Sequence, residues 1–137
     1  MTVNKRRAHI LGVSLVATFA VVRAFLYLRP DTDLNVGAYN IHHLFSGVVL
    51  LAACGIALVI SETRSRLSEA ATAGFGVGLS LALDEWVYLV ATDGSNASYL
   101  LPVSWIGGSL MVALAAAYVW LLTVLCDGIP HEHAGNR

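Results

Sequence analysis

The stretch AATAGFGVGLSLALDEWVYLVA, residues 70–91, decides how the chain is read. Its first fourteen residues are uncharged and rich in Gly, Ala and Leu, Asp84 and Glu85 follow, and a further apolar turn completes it. A helix apolar on every face belongs in lipid, where a carboxylate at its centre costs at least ~2.5–3.5 kcal/mol on insertion scales. Two adjacent acids there require compensation from elsewhere in the chain.

The remaining sequence supplies three more apolar runs. Residues 10–28 are interrupted only by Arg23, and about 19 residues cross ~30 Å of hydrocarbon. A basic start and small residues around Val22 and Ala24 resemble a signal peptide, but the run continues through Phe25, Leu26, Tyr27 and Leu28, making a full span. Pro30, Asp31, Asp33 and Asn35 mark a turn. A second span is expected over 38–60, with His42 and His43 near its start. Ser68 reads as the N-cap of the third span, with Glu69 favourable in its first turn. The fourth covers 101–125, with Pro102 acceptable in the first turn.

At 137 residues, 57% hydrophobic and 12% charged, the chain is one integral membrane domain, 1–137, with no room for a separate soluble one. The net charge of −1 and the lack of a long basic run exclude nucleic acid as the expected partner. Lys5, Arg6, Arg7, Arg64 and Arg66 flank one side, against Arg29 alone on the other. That distribution predicts both termini in the cytoplasm of a cell-membrane protein. The expected fold class is all-α, a four-span transmembrane bundle in up-down-up-down order, with consecutive helices as antiparallel neighbours.

This topology sets depths. At 1.5 Å per residue Arg23 lies roughly 8 Å below the outer end of its span, His43 about 8 Å below the start of the second, and Asp84 and Glu85 roughly 9–11 Å below the end of the third. Ser104 and Ser109 bracket the same slab. On the third helix Ala70, Gly74, Gly78 and Ala82 follow small-xxx-small spacing, and Glu85 falls about 20° from the Gly74/Gly78 stripe, so it faces a close helix neighbour. A homo-oligomer through the Gly74/Gly78 face is one expected use of that stripe. His43 shares a face with Ser46, Gly47 and Cys54 and is the more interior of the two histidines.

Arg23, His42, His43, Asp84 and Glu85 therefore form the candidate binding or ion-pair cluster. Three chemistries suit them. Buried charges pair whether or not they do anything else, which gives a structural or binding role with Arg23 compensating a carboxylate. A proton- or cation-coupled transporter, enclosing its path as a homo-oligomer, uses such residues as a relay. A metal-dependent membrane enzyme would hold zinc, iron or manganese on His43 and Glu85, with Asp84 or His42 in support. The pairs His-His and Asp-Glu lack the one-face spacing of HExxH, and two histidines on one helix do not make a bis-histidine haem site.

Lesser signals remain. His131, Glu132 and His133 form an HxH run in a polar tail. Asn96-Ala97-Ser98 is a glycosylation sequon or a turn. Trp86, Tyr88, Tyr99 and Trp105 are expected as an interfacial aromatic belt. Cys54 and Cys126 have no metal-ligand spacing and read as packed thiols.

Overall fold

A computed structural model describes residues 3–29, 35–36, 39–40, 42–63 and 65–127. The first helix, α1 (Lys5–Leu28), begins five residues before its apolar run because the Asn4 side chain accepts the Arg7 amide at 3.2 Å and caps it. It ends at Arg29, before a proline. A two-residue antiparallel ladder follows, β1 (Asn35–Val36) against β2 (Tyr39–Asn40).

The second helix, α2 (His43–Ile60), starts later than the expected 38. Residues 39–40 are drawn into the ladder, and His42 has extended backbone at φ −63°, ψ 144°. The cap of this helix comes from a distant carboxylate, described below. For α3 (Arg66–Ala91) the N-cap is Ser65, which accepts the Ser68 amide at 3.0 Å, and Ser68 itself lies buried inside the first turn. The expected cap at Ser68 is thus three residues too late. Glu69 in that turn meets the exposed Arg6 at 3.0 Å.

After α3 the chain turns at Gly94, whose φ of +73° lies in the left-handed region that glycine tolerates. Asp93 accepts both the Ser95 amide and the Ser95 hydroxyl, and the amide bond leads in holding its carboxyl below the usual carboxylate range. Ser95 in turn caps a single-turn helix, α4 (Asn96–Tyr99), by accepting the Ser98 amide. The last helix, α5 (Pro102–Asp127), opens on Pro102, where a missing amide proton costs nothing.

The architecture is all-helical, and four helices, α1, α2, α3 and α5, are long and apolar enough to cross a membrane. Their outward surfaces are apolar: Val21, Phe25, Val49, Val59, Val90, Ile106 and Trp120 are all exposed. The centre of the bundle holds Ser68, Thr72, Ser80, Asp84, Glu85, Arg23 and Ser104, so the polarity is inverted relative to a protein in water. The core sits on α3, which packs against α1, α2 and α5, while α1 also meets α5. Helices α1 and α2 do not form a packed pair, contrary to the expectation for consecutive spans. Glycine explains the difference. A Cβ on Gly76 would lie 2.9 Å from the Leu11 carbonyl, and one on Gly78 would lie 2.8 Å from the Gly47 carbonyl. Two faces of α3 therefore admit backbone on backbone, one for α1 and one for α2.

Ion pairs and hydrogen bonds fix which ends meet. Arg6 and Glu69 join the first turns of α1 and α3, while Arg23 and Asp84 join their C-terminal halves. The start of α2 reaches Asp84 and Glu85 on α3, and the start of α5 joins the same group through Ser104, which accepts from Arg23.

Candidate functional site

Arg23, near the end of α1, is 2% exposed, and Asp84 and Glu85 are 1% and 3% exposed. The Arg23 Nε donates to Asp84 Oδ1 at 2.6 Å, and Nη2 donates to the Ser104 carbonyl and hydroxyl at 3.0 and 3.1 Å. Longer contacts reach the Tyr99 and Asp84 carbonyls. Such a guanidinium has a carboxylate for its charge and oxygens for its remaining protons, which lets it stay buried. Helix α5 comes this close because Gly108 has no side chain: a Cβ there would lie 2.7 Å from Asp84 Oδ1 and 2.8 Å from Arg23 Nη2.

Aromatic rings complete the setting of Arg23. Its guanidinium carbon lies 4.3 Å from the Tyr99 ring centroid, 4.9 Å from Trp105 and 5.7 Å from Phe19. Cation–π attraction strengthens when water is excluded. Tyr99 also donates its hydroxyl to Asp84 Oδ2. Burial, then the Asp84 charge, then this hydrogen bond push the pKa of the Tyr99 hydroxyl up, which keeps it a proton donor. Tyr88 packs edge-on to Tyr99 at 5.3 Å and donates to the Ser95 carbonyl. The expected aromatic belt is thus corrected in part: Trp86 is exposed, whereas Tyr88 and Tyr99 are buried and Tyr99 and Trp105 box the arginine. Gly94 and α4 are the reason, since they turn the chain back so that Tyr99 enters the bundle.

Glu85 does different work. Its Oε2 accepts the Leu44 amide at 2.7 Å, so a carboxylate on α3 caps α2, satisfying one of the orphan first-turn amides and meeting the positive end of the helix dipole. Its Oε1 lies 3.3 Å from His42 Nδ1 and 3.2 Å from His43 Nδ1. The other nitrogen of His43, Nε2, is 3.1 Å from Asp84 Oδ2. One imidazole therefore stands between two carboxylates, and both histidine side chains remain about one-fifth exposed, at 21% and 20%.

All five sequence-derived site residues, Arg23, His42, His43, Asp84 and Glu85, come together, along with Ser104; Ser109 is exposed on α5 and stays outside. His131, Glu132 and His133 lie outside the described residues. Among the described residues no group of three or more His, Cys, Asp or Glu is arranged to hold a metal ion. The geometry gives the reason: Asp84 faces Arg23, Tyr99 and His43, and Glu85 faces an amide and two imidazoles, so the donor atoms point at one another. The Gly74/Gly78 face is filled by α2 of the same chain, with Cys54 Sγ within contact of Gly74. Cys54 and Cys126 are free and half-buried.

An all-helical protein with four membrane-length helices and a charged cluster at its core is the class that fold and site define. Compared with protein-family models, curated protein sequences and solved structures, the chain matches none.

Proposed function

We propose that the protein is a multi-pass protein of a cell membrane, with four spans running up-down-up-down and both termini cytoplasmic. Its cluster is an outer-side proton-binding site that docks α2 onto α3. The carrying observation is His43, which has one ring nitrogen 3.1 Å from Asp84 and the other 3.2 Å from Glu85. Of the two contacts only Nε2–Asp84 has hydrogen-bond geometry, while Nδ1 approaches Glu85 as an ion pair beside the His42–Glu85 hydrogen bond. An imidazolium is the form of His43 that attracts both carboxylates. The charge count supports the same reading. Arg23 balances one carboxylate, and a proton on His43 balances the other, leaving no net charge within lipid. About one-fifth of each histidine side chain is exposed, so a proton on His43 is not sealed inside the bundle.

The groups around His43 are Asp84 and Glu85 of α3, Tyr99 of α4 in an edge-on arrangement with ring centroids 5.8 Å apart, His42 just before its own helix, itself beside Tyr88 of α3, and Arg23 behind Asp84. Nitrogen-15 spectra of the imidazoles at neutral pH test the assignment. His43 is expected to carry protons on both nitrogens in the native protein and on one after Glu85→Gln, with faster hydrogen exchange at the Leu44 amide. A neutral His43 in the native protein would sink the proton assignment.

A proton-coupled transporter is the second reading, favoured by a specific feature of α3. The Ser80 hydroxyl, one turn inward of Asp84, is buried with no hydrogen-bond partner among the described residues, and Thr72 and Ser68 continue the buried polar face. A buried unpartnered hydroxyl calls for a water or a transient donor. Proton flux into vesicles holding the protein, lost on Asp84→Asn, is the expected result, and unaltered flux in that variant removes the reading.

A further inference from the structure

At the opposite end of the bundle from the cluster, a cavity of about 340 Å³ opens between α1, α2, α3 and α5. That volume falls in the range of roughly 300–1,000 Å³ that small-molecule sites occupy. Its floor and walls are apolar: Leu11 of α1, Leu58 of α2, Phe75 of α3 and Leu122 of α5. Its polar rim is Arg7 with Thr72 and Asn4, the last already accepting the Arg7 amide as the cap of α1.

The rim has a definite hydrogen-bond pattern. Arg7 Nε donates to Thr72 Oγ1 at 3.1 Å, and the threonine hydroxyl spends its own proton on the Ser68 carbonyl at 2.7 Å. Thr72 thus holds one edge of the guanidinium. The four N–H bonds on Nη1 and Nη2 have no hydrogen-bond partner among the described residues. A half-buried arginine fixed by one edge, with its fork open, has the geometry for two parallel bonds to a phosphate. Arg6, its neighbour, differs: it is exposed and already paired with Glu69.

We infer that this cavity binds one anionic phospholipid, its phosphate on the Arg7 fork and part of an acyl chain against Leu11, Leu58, Phe75 and Leu122. The inference rests on the reading of the protein as membrane-spanning and is independent of the proton on His43. Charge complementarity selects the headgroup, and the apolar walls, one turn inward from Arg7, select a ligand with a chain attached. Basic pockets between spanning helices are general sites for anionic headgroups on the cytoplasmic side, the side to which the Lys and Arg distribution assigns Arg7.

The test titrates the purified full-length protein in uncharged detergent with phosphatidylglycerol, with phosphatidylcholine of the same chains, and with glycerol phosphate, and reads bound lipid by native mass spectrometry. Phosphatidylglycerol is expected to bind about tenfold more tightly than phosphatidylcholine, whose phosphate can take the same bonds but whose quaternary ammonium cancels its net charge beside Lys5, Arg6 and Arg7. Glycerol phosphate, lacking a chain, is expected not to compete. Arg7→Gln should lower the phosphatidylglycerol affinity by about tenfold, and Leu58→Trp should lower it by filling the cavity, while Arg6→Gln should leave it unchanged. Equal binding of the two lipids by the native protein overturns the proposal without recourse to any variant. Tight binding of glycerol phosphate alone would make the site one for a soluble phosphate. Equal losses in Arg6→Gln and Arg7→Gln would reduce the effect to surface charge.

Discussion

Arg23 shows how a charge becomes tolerable within an apolar bundle. Its partners are divided by chemistry: a carboxylate for the charge, the Ser104 oxygens for Nη2, and rings of Tyr99, Trp105 and Phe19 around the plane. Removing it alone leaves Asp84 buried at 1% exposure without its counter-charge. Arg23→Gln should therefore cost about 3–5 kcal/mol, and Arg23→Gln with Asp84→Asn should recover much of that loss. Denaturant unfolding in mild detergent measures both, and additive losses in the double variant would show that the two side chains do not act as a pair. The four ionisable positions Arg23, His43, Asp84 and Glu85 were legible in the sequence because a helix rises uniformly, so residue counts translate into depth. Tyr99 and Trp105 were not. Aromatic residues near a span end look alike in sequence whether they line the interface or turn inward, and only the one-turn α4 after Gly94 decides between the two.

At the scale of elements, α2 is held differently from the others. It packs almost entirely along α3, through the Gly47/Gly78 crossing, and its first turn is capped by Glu85. The small-residue spacing announced a close contact on α3, yet spacing alone could not say whether the neighbour was α2 or a second chain, nor that Gly76 would receive α1 on another face. Gly108 was equally silent, because its role depends on a side-chain pair contributed by two other helices. The crossing predicts a graded result. A methyl on Gly78 meets the Gly47 carbonyl at 2.8 Å and the Leu51 amide nitrogen at 3.0 Å, whereas one on Gly12 meets nothing within 4 Å. Gly78→Ala should destabilise by about 1–3 kcal/mol, since backbone must move, and Gly12→Ala should be neutral or gain up to about 1 kcal/mol from helix propensity. Thermal unfolding of the two proteins side by side separates them, and matching midpoints would mean that α2 stands further from α3 than the glycines indicate.

For the molecule as a whole, the two ends differ in charge and in what they hold. One end carries Lys5, Arg6, Arg7 and Arg66 together with the Arg7 cavity, and the other carries the histidine–carboxylate cluster beneath α4. The contacts tie each end together internally: Arg6 to Glu69 at the first, and Arg23, His43, Asp84 and Ser104 at the second. A bilayer therefore has two ways to accept this bundle, and the orientation proposed above from the Lys and Arg excess is the one with the basic end in the cytoplasm. Asp93 and Glu62 are exposed at opposite ends and suit single-cysteine labelling, in a background where Cys54 and Cys126 are replaced by alanine. Asp93→Cys is expected to react with an impermeant maleimide on intact cells, and Glu62→Cys only after the membrane is opened. Reaction of Glu62→Cys alone from outside would invert the orientation, placing the histidine pair toward the cytoplasm and the Arg7 cavity in the outer leaflet. Reaction of both from outside would break the four-span reading itself, because Glu62 and Asp93 flank the two ends of α3 and one crossing must separate them.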